Sequence, residues 1–374
     1  MSAKLRPILF FEQYGSLGGG QQVLLELVRA ARALGRPVEA LIPAGPMQAL
    51  LQELGATVHL VPACNLQQGQ KSLRDALYLF IYTLRLLFQF QAPIRRAGYL
   101  YVNGNRLLPV ALLASVLWRK PAFYHVHLHY QGLERTLLGW VLLTAMTRAV
   151  ILPSVFIQEK LVAFSQRFAD KRVIVLENGL DQRFTSVSYV DRFSRAPLQQ
   201  LGIVGRVSSE KGQDVLLPLA KAYPELTFHV LGDAAFSDSA YLDSLWQPEL
   251  PNIIFYGWVQ DLPAKINEIN LQVCLMPSRV PEAAPLVPLQ MSALSCLAVV
   301  RRIGALADVA KALELATFEL DCELSSILQN LLAEPPAELA RRTEASYAAV
   351  MQRYSNEAWQ EALRRFFTTA FSQE

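Results

Sequence analysis

The sequence predicts an α/β chain of two βα domains that face a shared cleft. Three observations carry this. Short apolar runs recur between helical stretches; a strand leads into a glycine-bearing turn and then a helix twice; and the pattern restarts once, after a polar stretch from Asp181 to Gln200. Apolar strands alternating with helices imply a parallel sheet covered on both faces. The length of 374 residues agrees, since it suggests about two domains.

In the first domain, residues 1–198, the run PILFFEQ (7–13) leads into the turn GSLGGG (15–20). The following QQVLLELVRAARAL has helical spacing, and Gly35 stands where a helix cap belongs. Strands are expected at 37–43, 56–62, 99–103, 122–128, 149–153 and 173–177, with helical stretches between most of them. The second domain, 199–352, opens with LGIVGRVSSEKGQDVLLPLAKAY (201–223) and continues with strands at 227–232, 252–258, 271–277 and 296–302. A closing helix over 353–374 repeats Trp359, Leu363, Phe366, Phe367 and Phe371 at helical spacing, so one face should be buried. Open α/β sheets bind ligands at the carboxyl ends of their strands, which is where two facing domains would leave a cleft.

Composition narrows the function. Apolar residues make up 52% and charged residues 18%, which excludes a disordered chain. The net charge of +3 lacks the basic excess of a nucleic-acid binder. Cys64, Cys274, Cys296 and Cys322 lie too far apart for a zinc site or disulfide framework and read as buried free thiols in a reducing cytoplasm. The apolar stretch at the N-terminus is short and runs into Glu12, unlike a signal peptide. The longest uncharged apolar stretch, 136–147, ends at Arg148 and suits a core helix rather than a membrane span.

A strand, then Gly15-Ser-Leu-Gly18-Gly19-Gly20, then a helix is an arrangement that binds phosphate: the backbone approaches closely and free N–H groups carry positive partial charge. A plain tight turn has the same letters. The loop lacks both the G-K-[ST] ending of a P-loop and the spacing G-x-G-x-x-G. The second strand–turn–helix unit adds Arg206 and Lys211, five residues apart, which suits a diphosphate. The alternative is a solvated surface pair of Arg206 with Glu210.

From here the chain resembles the retaining glycosyltransferases of family 4, which have the GT-B fold of two Rossmann-like domains. The resemblance runs over nearly the whole chain. SLGGGQQVLLELVRAARALGRPV resembles the family's glycine loop and first helix, and YHVHLH its strand ending in a histidine, aligned on His127. VIVLENGLDQRF is similar to the N-G-[VL]-D-x-x-x-F element. VGRVSSEKGQDVLL matches G-R-x-x-x-x-K-G-x-D with Gly205, Arg206, Lys211, Gly212 and Asp214. HVLGD and IIFYGWVQD fall where base-binding strands and loops lie, with Gly232 and Gly257, and LMPSRVPEAAPLVPLQMSAL resembles the acidic signature. The closing helix is similar to one that crosses back onto the N-terminal domain.

The resemblance implies transfer of a sugar from a UDP- or GDP-linked donor to an acceptor hydroxyl, with the anomeric configuration kept. Arg206, Lys211 and the Gly18, Gly19 and Gly20 amides would take the charge of the departing diphosphate, without metal or other cofactor. No D-x-D motif is present; Asp321-Cys322-Glu323 reads as a solvated acidic patch. Glu282 would hold donor-sugar hydroxyls, His127 would hydrogen-bond the sugar, and Leu286, Val287 and Gln290 would line the donor site. Two departures stand out: Gln290 replaces the second glutamate, which grips the ribose, and Pro285 replaces a glycine, removing an N–H. These motivate the alternative of a nucleotide-sugar-binding protein with impaired or lost turnover.

His125, His127 and His129 alternate, so an extended strand would present all three on one face. A metal site is one reading and separate polar roles the other. The segment 71–96 is unusually apolar, and Lys71, Arg74, Arg85 and Gln89 fall within about 60° of one another on a helical wheel. A helix packed on the sheet is one outcome. A basic amphipathic helix on an anionic membrane, peripheral on the cytoplasmic face and meeting a lipid-linked glycan acceptor, is the other.

Overall fold

The computed structural model describes residues 5–64, 73–127, 146–164, 173–194, 196–234, 239–245 and 249–371. His129, Lys71 and most of the apolar stretch 136–147 lie outside these. The chain divides into two compact units, Met1–Glu177 with Gln360–Glu374, and Asn178–Trp359.

The first unit is built on a seven-stranded sheet: β1 (Ile8–Phe11), β2 (Val38–Ile42), β3 (Thr57–Leu60), β4 (Tyr99–Val102), β5 (Ala122–His125), β6 (Thr147–Leu152) and β7 (Val173–Val175). Their order is β3-β2-β1-β4-β5-β6-β7, every pair parallel. β1, β2, β4 and β5 are buried at every residue, which is why their sequences show no polar alternation. Helix α1 (Gly19–Ala33) buries Val23, Leu24, Leu27, Val28, Ala30 and Ala31. It ends as the glycine signal requires: Gly35 takes φ +71° and its N–H donates to the Arg32 carbonyl, while Arg36 N–H donates to Ala31. Helices α2 (Leu73–Gln89) and α3 (Leu108–Leu117) pack against each other.

The second unit holds β8 (Gln200–Val204), β9 (Thr227–Leu231), β10 (Ile253–Gly257), β11 (Val273–Met276), β12 (Leu297–Arg301) and β13 (Ala316–Phe318). Their order is β10-β9-β8-β11-β12-β13, again all parallel. β13 is not among the expected strands, because its Ala316-Thr-Phe run holds one large apolar residue and no continuous apolar stretch. Helices α4 (Leu216–Ala222), α5 (Val287–Ala293), α6 (Ala305–Leu313) and α7 (Pro336–Tyr354) belong to the same unit.

The units divide at Glu177/Asn178 rather than near residue 198. The polar stretch is not a linker but a strap on the second unit. Its Arg192, 1% exposed, donates to the Leu294 carbonyl, to Asn267 Oδ1 at 2.6 Å and to Asn270 Oδ1. Gln272 at the foot of β11 donates to the Arg192, Ala196 and Pro197 carbonyls. Such contacts make a charged residue an interior one, which hydropathy alone does not signal. The last helix, α8 (Asn356–Ala370), starts in the second unit, and from Gln360 its residues belong to the first. There Gln360 donates to Glu26, Phe371 lies 4.3 Å from the Tyr99 ring and Phe366 meets Phe123 edge-on.

Candidate active site

Each sheet reverses its strand order once, and chemistry-bearing side chains collect at both reversals. In the first unit β1 lies between β2 and β4, so the chain leaves β1 and β4 in opposite directions and opens a crevice at their carboxyl ends. Glu12 follows β1, Asn103 follows β4, and His125 and His127 end and follow β5. Asn103 joins them. Its Nδ2 donates to Glu12 Oε2 at 2.6 Å and to the Gly20 carbonyl at 3.0 Å; its Oδ1 lies 2.8 Å from His127 Nε2. Two acceptors fix the amide orientation, so His127 Nε2 carries the proton and Nδ1 is left as an acceptor.

Electrostatics follow from burial. Burial pushes His127 down to about 4, so the ring is neutral at physiological pH. His125 is held well below its ordinary value, first by burial and then by His127, whose ring stacks at 4.3 Å. Its Nδ1 pairs with Tyr101 Oη at 3.0 Å. Glu12, 0% exposed, is raised by burial against the opposing hydrogen bonds from Asn103, Tyr14 N–H and Gln21.

Gly18 caps α1, and Gly19 and Gly20 form its first turn, with no acidic side chain there. The steric demand for glycine falls elsewhere in the loop. A Cβ on Gly20 would sit at an ordinary 3.6 Å from the His127 ring, whereas one on Gly15 would lie 2.3 Å from the Ala44 carbonyl oxygen. Gly20 therefore matters here for the His127 neighbourhood, and Gly15 for closing the turn.

In the second unit the reversal lies between β8 and β11. The loop after β8 carries Arg206 and Lys211; the loop after β11 carries Ser278 and Glu282. Lys211 Nζ meets Glu282 Oε1 at 2.7 Å, and Ser278 Oγ donates to the same oxygen. Both charged side chains are about three-quarters buried, at 24% and 21% exposure. Gly212, at φ +73°, lets the Lys211 loop lie against β11's exit, since a Cβ there would be 2.7 Å from the Pro277 carbonyl oxygen.

Arg206 does not join them. It is exposed and pairs with Glu210 at 3.1 Å, the surface pair that the spacing also allowed. Asp214 sits beside this loop: burial raises its carboxyl, yet the two-pronged Arg279 and the Tyr241 hydroxyl hold it below its ordinary range. Arg279 and Arg301 also bind Asp321, so the supposed acidic patch is one end of an ion network. Cys322 is exposed, while the other three cysteines are buried.

Gly205, Gly232 and Gly257 line up at the carboxyl ends of neighbouring strands β8, β9 and β10, with Gly205 N–H bonded to Leu231 and Gly232 N–H to Gly257. A Cβ on Gly232 would lie 1.9 Å from the Gly205 carbonyl oxygen, so only glycine fits. Leu286 caps α5, Val287 begins it and Gln290 lies one turn on, all half-buried. Pro285 is buried. Among the described residues no group of three His, Cys, Asp or Glu stands where it could hold a metal ion.

Comparison with known proteins decides the family. Residues 18–179 match the model of the glycosyl transferase 4-like domain and residues 199–326 that of glycosyl transferases group 1, together more than three quarters of the chain. The chain belongs to the family 4-type glycosyltransferases. Solved structures show the same GT-B fold. HepE from Anabaena, in complex with UDP and glucose, is 20% identical with TM-score 0.76, covering 99% of this chain and 100% of its own. Sucrose-phosphate synthase from Thermosynechococcus elongatus is 15% identical with TM-score 0.76 and the same coverage. The lipopolysaccharide outer core galactosyltransferase WaaB is 13% identical with TM-score 0.66, again covering 99% and 100%. No curated protein sequence matches this glycosyltransferase. Among its described residues, no helix is long and apolar enough to cross a membrane.

Reasoning from sequence alone missed Glu12, Asn103 and Ser278 as members of these clusters. A signal existed for the first two: each is a polar residue directly after a wholly apolar strand, where a buried polar group needs a partner.

Proposed function

We propose that this glycosyltransferase moves a sugar from a nucleoside-diphosphate donor, UDP- or GDP-linked, to an acceptor hydroxyl with retention and without a catalytic metal. The observation that carries the reading is the Lys211–Glu282–Ser278 cluster, because it sets a cation beside a carboxylate at the ligand-binding end of the second sheet. The bond from the anomeric carbon to the diphosphate oxygen breaks, one to the acceptor oxygen forms on the same face, and the acceptor's hydroxyl proton passes to the departing diphosphate. Negative charge then grows on the diphosphate, where Lys211, Arg206 and the Gly18–Gly20 amides stabilise it. Arg206 exchanges its surface partner Glu210 for the diphosphate, a small cost for an exposed pair.

Glu282 accepts from donor-sugar hydroxyls while its pairing with Lys211 keeps it oriented. His127 offers Nδ1 as a neutral acceptor to a sugar hydroxyl, its ring set by Asn103. Gln290 takes a ribose hydroxyl through its amide oxygen, a weaker acceptor than a carboxylate. Leu286, Val287, Gly205, Gly232 and Gly257 shape the donor site. The acceptor is a glycan or lipid-linked glycan, and the enzyme works in the cytoplasm, peripheral on the cytoplasmic membrane face where the acceptor is lipid-linked.

UDP-glucose is the first donor to try, because HepE, which shares the fold, has been solved with it bound. A thermal-shift screen of UDP-, GDP- and ADP-sugars tests the donor: at a hundred times Kd a ligand adds about 2.7 kcal/mol. Stabilisation by one donor series supports the reading, and no shift with any of them contradicts it.

A further inference from the structure

We infer that the outer faces of α2 and α3 form a docking surface for an anionic bilayer. α2 is buried on one side, through Tyr82, Thr83, Leu86 and Leu87, and Phe90 directly after it is buried as well. The opposite side is exposed and just as apolar: Leu77 (59%), Phe80 (56%), Ile81 (57%), Leu84 (46%) and Phe88 (80%). At 100° per residue these five fall in one stripe about 100° wide. Arg74 and Arg85 run along one edge of that stripe, both exposed. α3, packed against α2, adds exposed Leu113, Val116 and Leu117. Packing into the core therefore accounts for Tyr82, Leu86 and Leu87 of this helix and leaves the larger share of its apolar side chains facing outward.

Charge selects the occupant. Residues 73–120 contain seven cations and one acid, Asp75, a balance of +6 within a chain whose total is +3. Arg74, Arg85, Arg95 and Arg119 are exposed. A second copy of the chain seated face to face would bring like charges together. A bilayer rich in anionic lipid matches both properties, since the apolar stripe enters the acyl boundary and the arginines meet headgroup phosphates. The inference rests on the proposed lipid-linked acceptor only for its purpose; the surface itself is read without any transfer step.

The test is co-sedimentation of the full chain with phosphatidylcholine vesicles and with vesicles containing one third phosphatidylglycerol. The account expects preference for the anionic vesicles, weakened by salt. Arg74→Gln with Arg85→Gln should lower partitioning roughly thirtyfold, as each arginine near the surface contributes about fivefold. Leu77→Gln with Ile81→Gln and Phe88→Gln should abolish it while the melting temperature stays within the wild-type range, because all three are exposed. UDP-sugar binding, read on the same samples, should be unchanged in both variants, and a wild type that binds vesicles but no donor would count against the transfer reading alone. Equal binding to both vesicle types, partitioning that ignores either variant, or a soluble dimer that the apolar variant dissociates without any vesicle binding would each overturn the inference.

Discussion

Gly304→Ala should injure the donor cluster from behind. Gly304 precedes α6 with φ +57° and ψ −145°, a conformation essentially restricted to glycine. A Cβ there would stand 2.8 Å from the Glu282 amide nitrogen and 2.9 Å from its carbonyl oxygen, which also accepts from Ala305 N–H. The backbone at Glu282 would have to retreat by roughly half an ångström to restore ordinary contact. Holding alanine in this conformation costs about 1–3 kcal/mol. For a unit of this size each kcal/mol lowers the melting temperature by about 2–4 °C, so calorimetry should show a drop of about 2–12 °C. Transfer, assayed well below both melting temperatures, should fall about tenfold, since a displacement of about 1 Å can cost a hundredfold. An unchanged melting temperature together with unchanged transfer would refute the claim that this glycine positions Glu282.

Asn103→Ala should leave Glu12 without its closest donor and free the His127 ring, lowering stability by about 1–3 kcal/mol in denaturant titration; an equally stable variant would show that the amide joins nothing. Acid should destabilise the fold between about pH 6.5 and 4. His127 and His229 are both held down to about 4 by burial, so the unfolded chain binds more protons across that window and stability is lost as pH falls. For His229, 3% exposed, the loss is at most about 3 kcal/mol; a flat pH profile of unfolding midpoints would remove this account. Gln290→Glu should tighten donor binding in calorimetric titration, and loss of binding would place the ribose elsewhere.

Most of the architecture was legible in the residues because strands buried on both faces read as continuous apolar runs, and glycines mark their exits. The Gly35 cap and the tight Gly205–Gly232 approach show how directly those letters constrain backbone. What escaped prediction depends on partners far apart in sequence. Arg192 reads as a surface cation until Leu294, Asn267 and Asn270 are known to surround it. Arg206 and Lys211 look equivalent by spacing, yet only Lys211 finds a partner 71 residues away. Glu12 and Asn103 sit 91 residues apart and meet only because β1 and β4 are neighbours.

The central claim is that Lys211 serves the departing diphosphate of a nucleotide sugar in a retaining, metal-free transfer. Proton NMR of donor turnover in excess chelator, comparing the wild type with Lys211→Ala, tests it most directly. The account predicts that one nucleotide sugar is consumed, that its sugar first appears in product with the donor's anomeric configuration, and that Lys211→Ala slows this by about 10²–10³. Donor binding without consumption, an inverted product, or full activity in Lys211→Ala would contradict it.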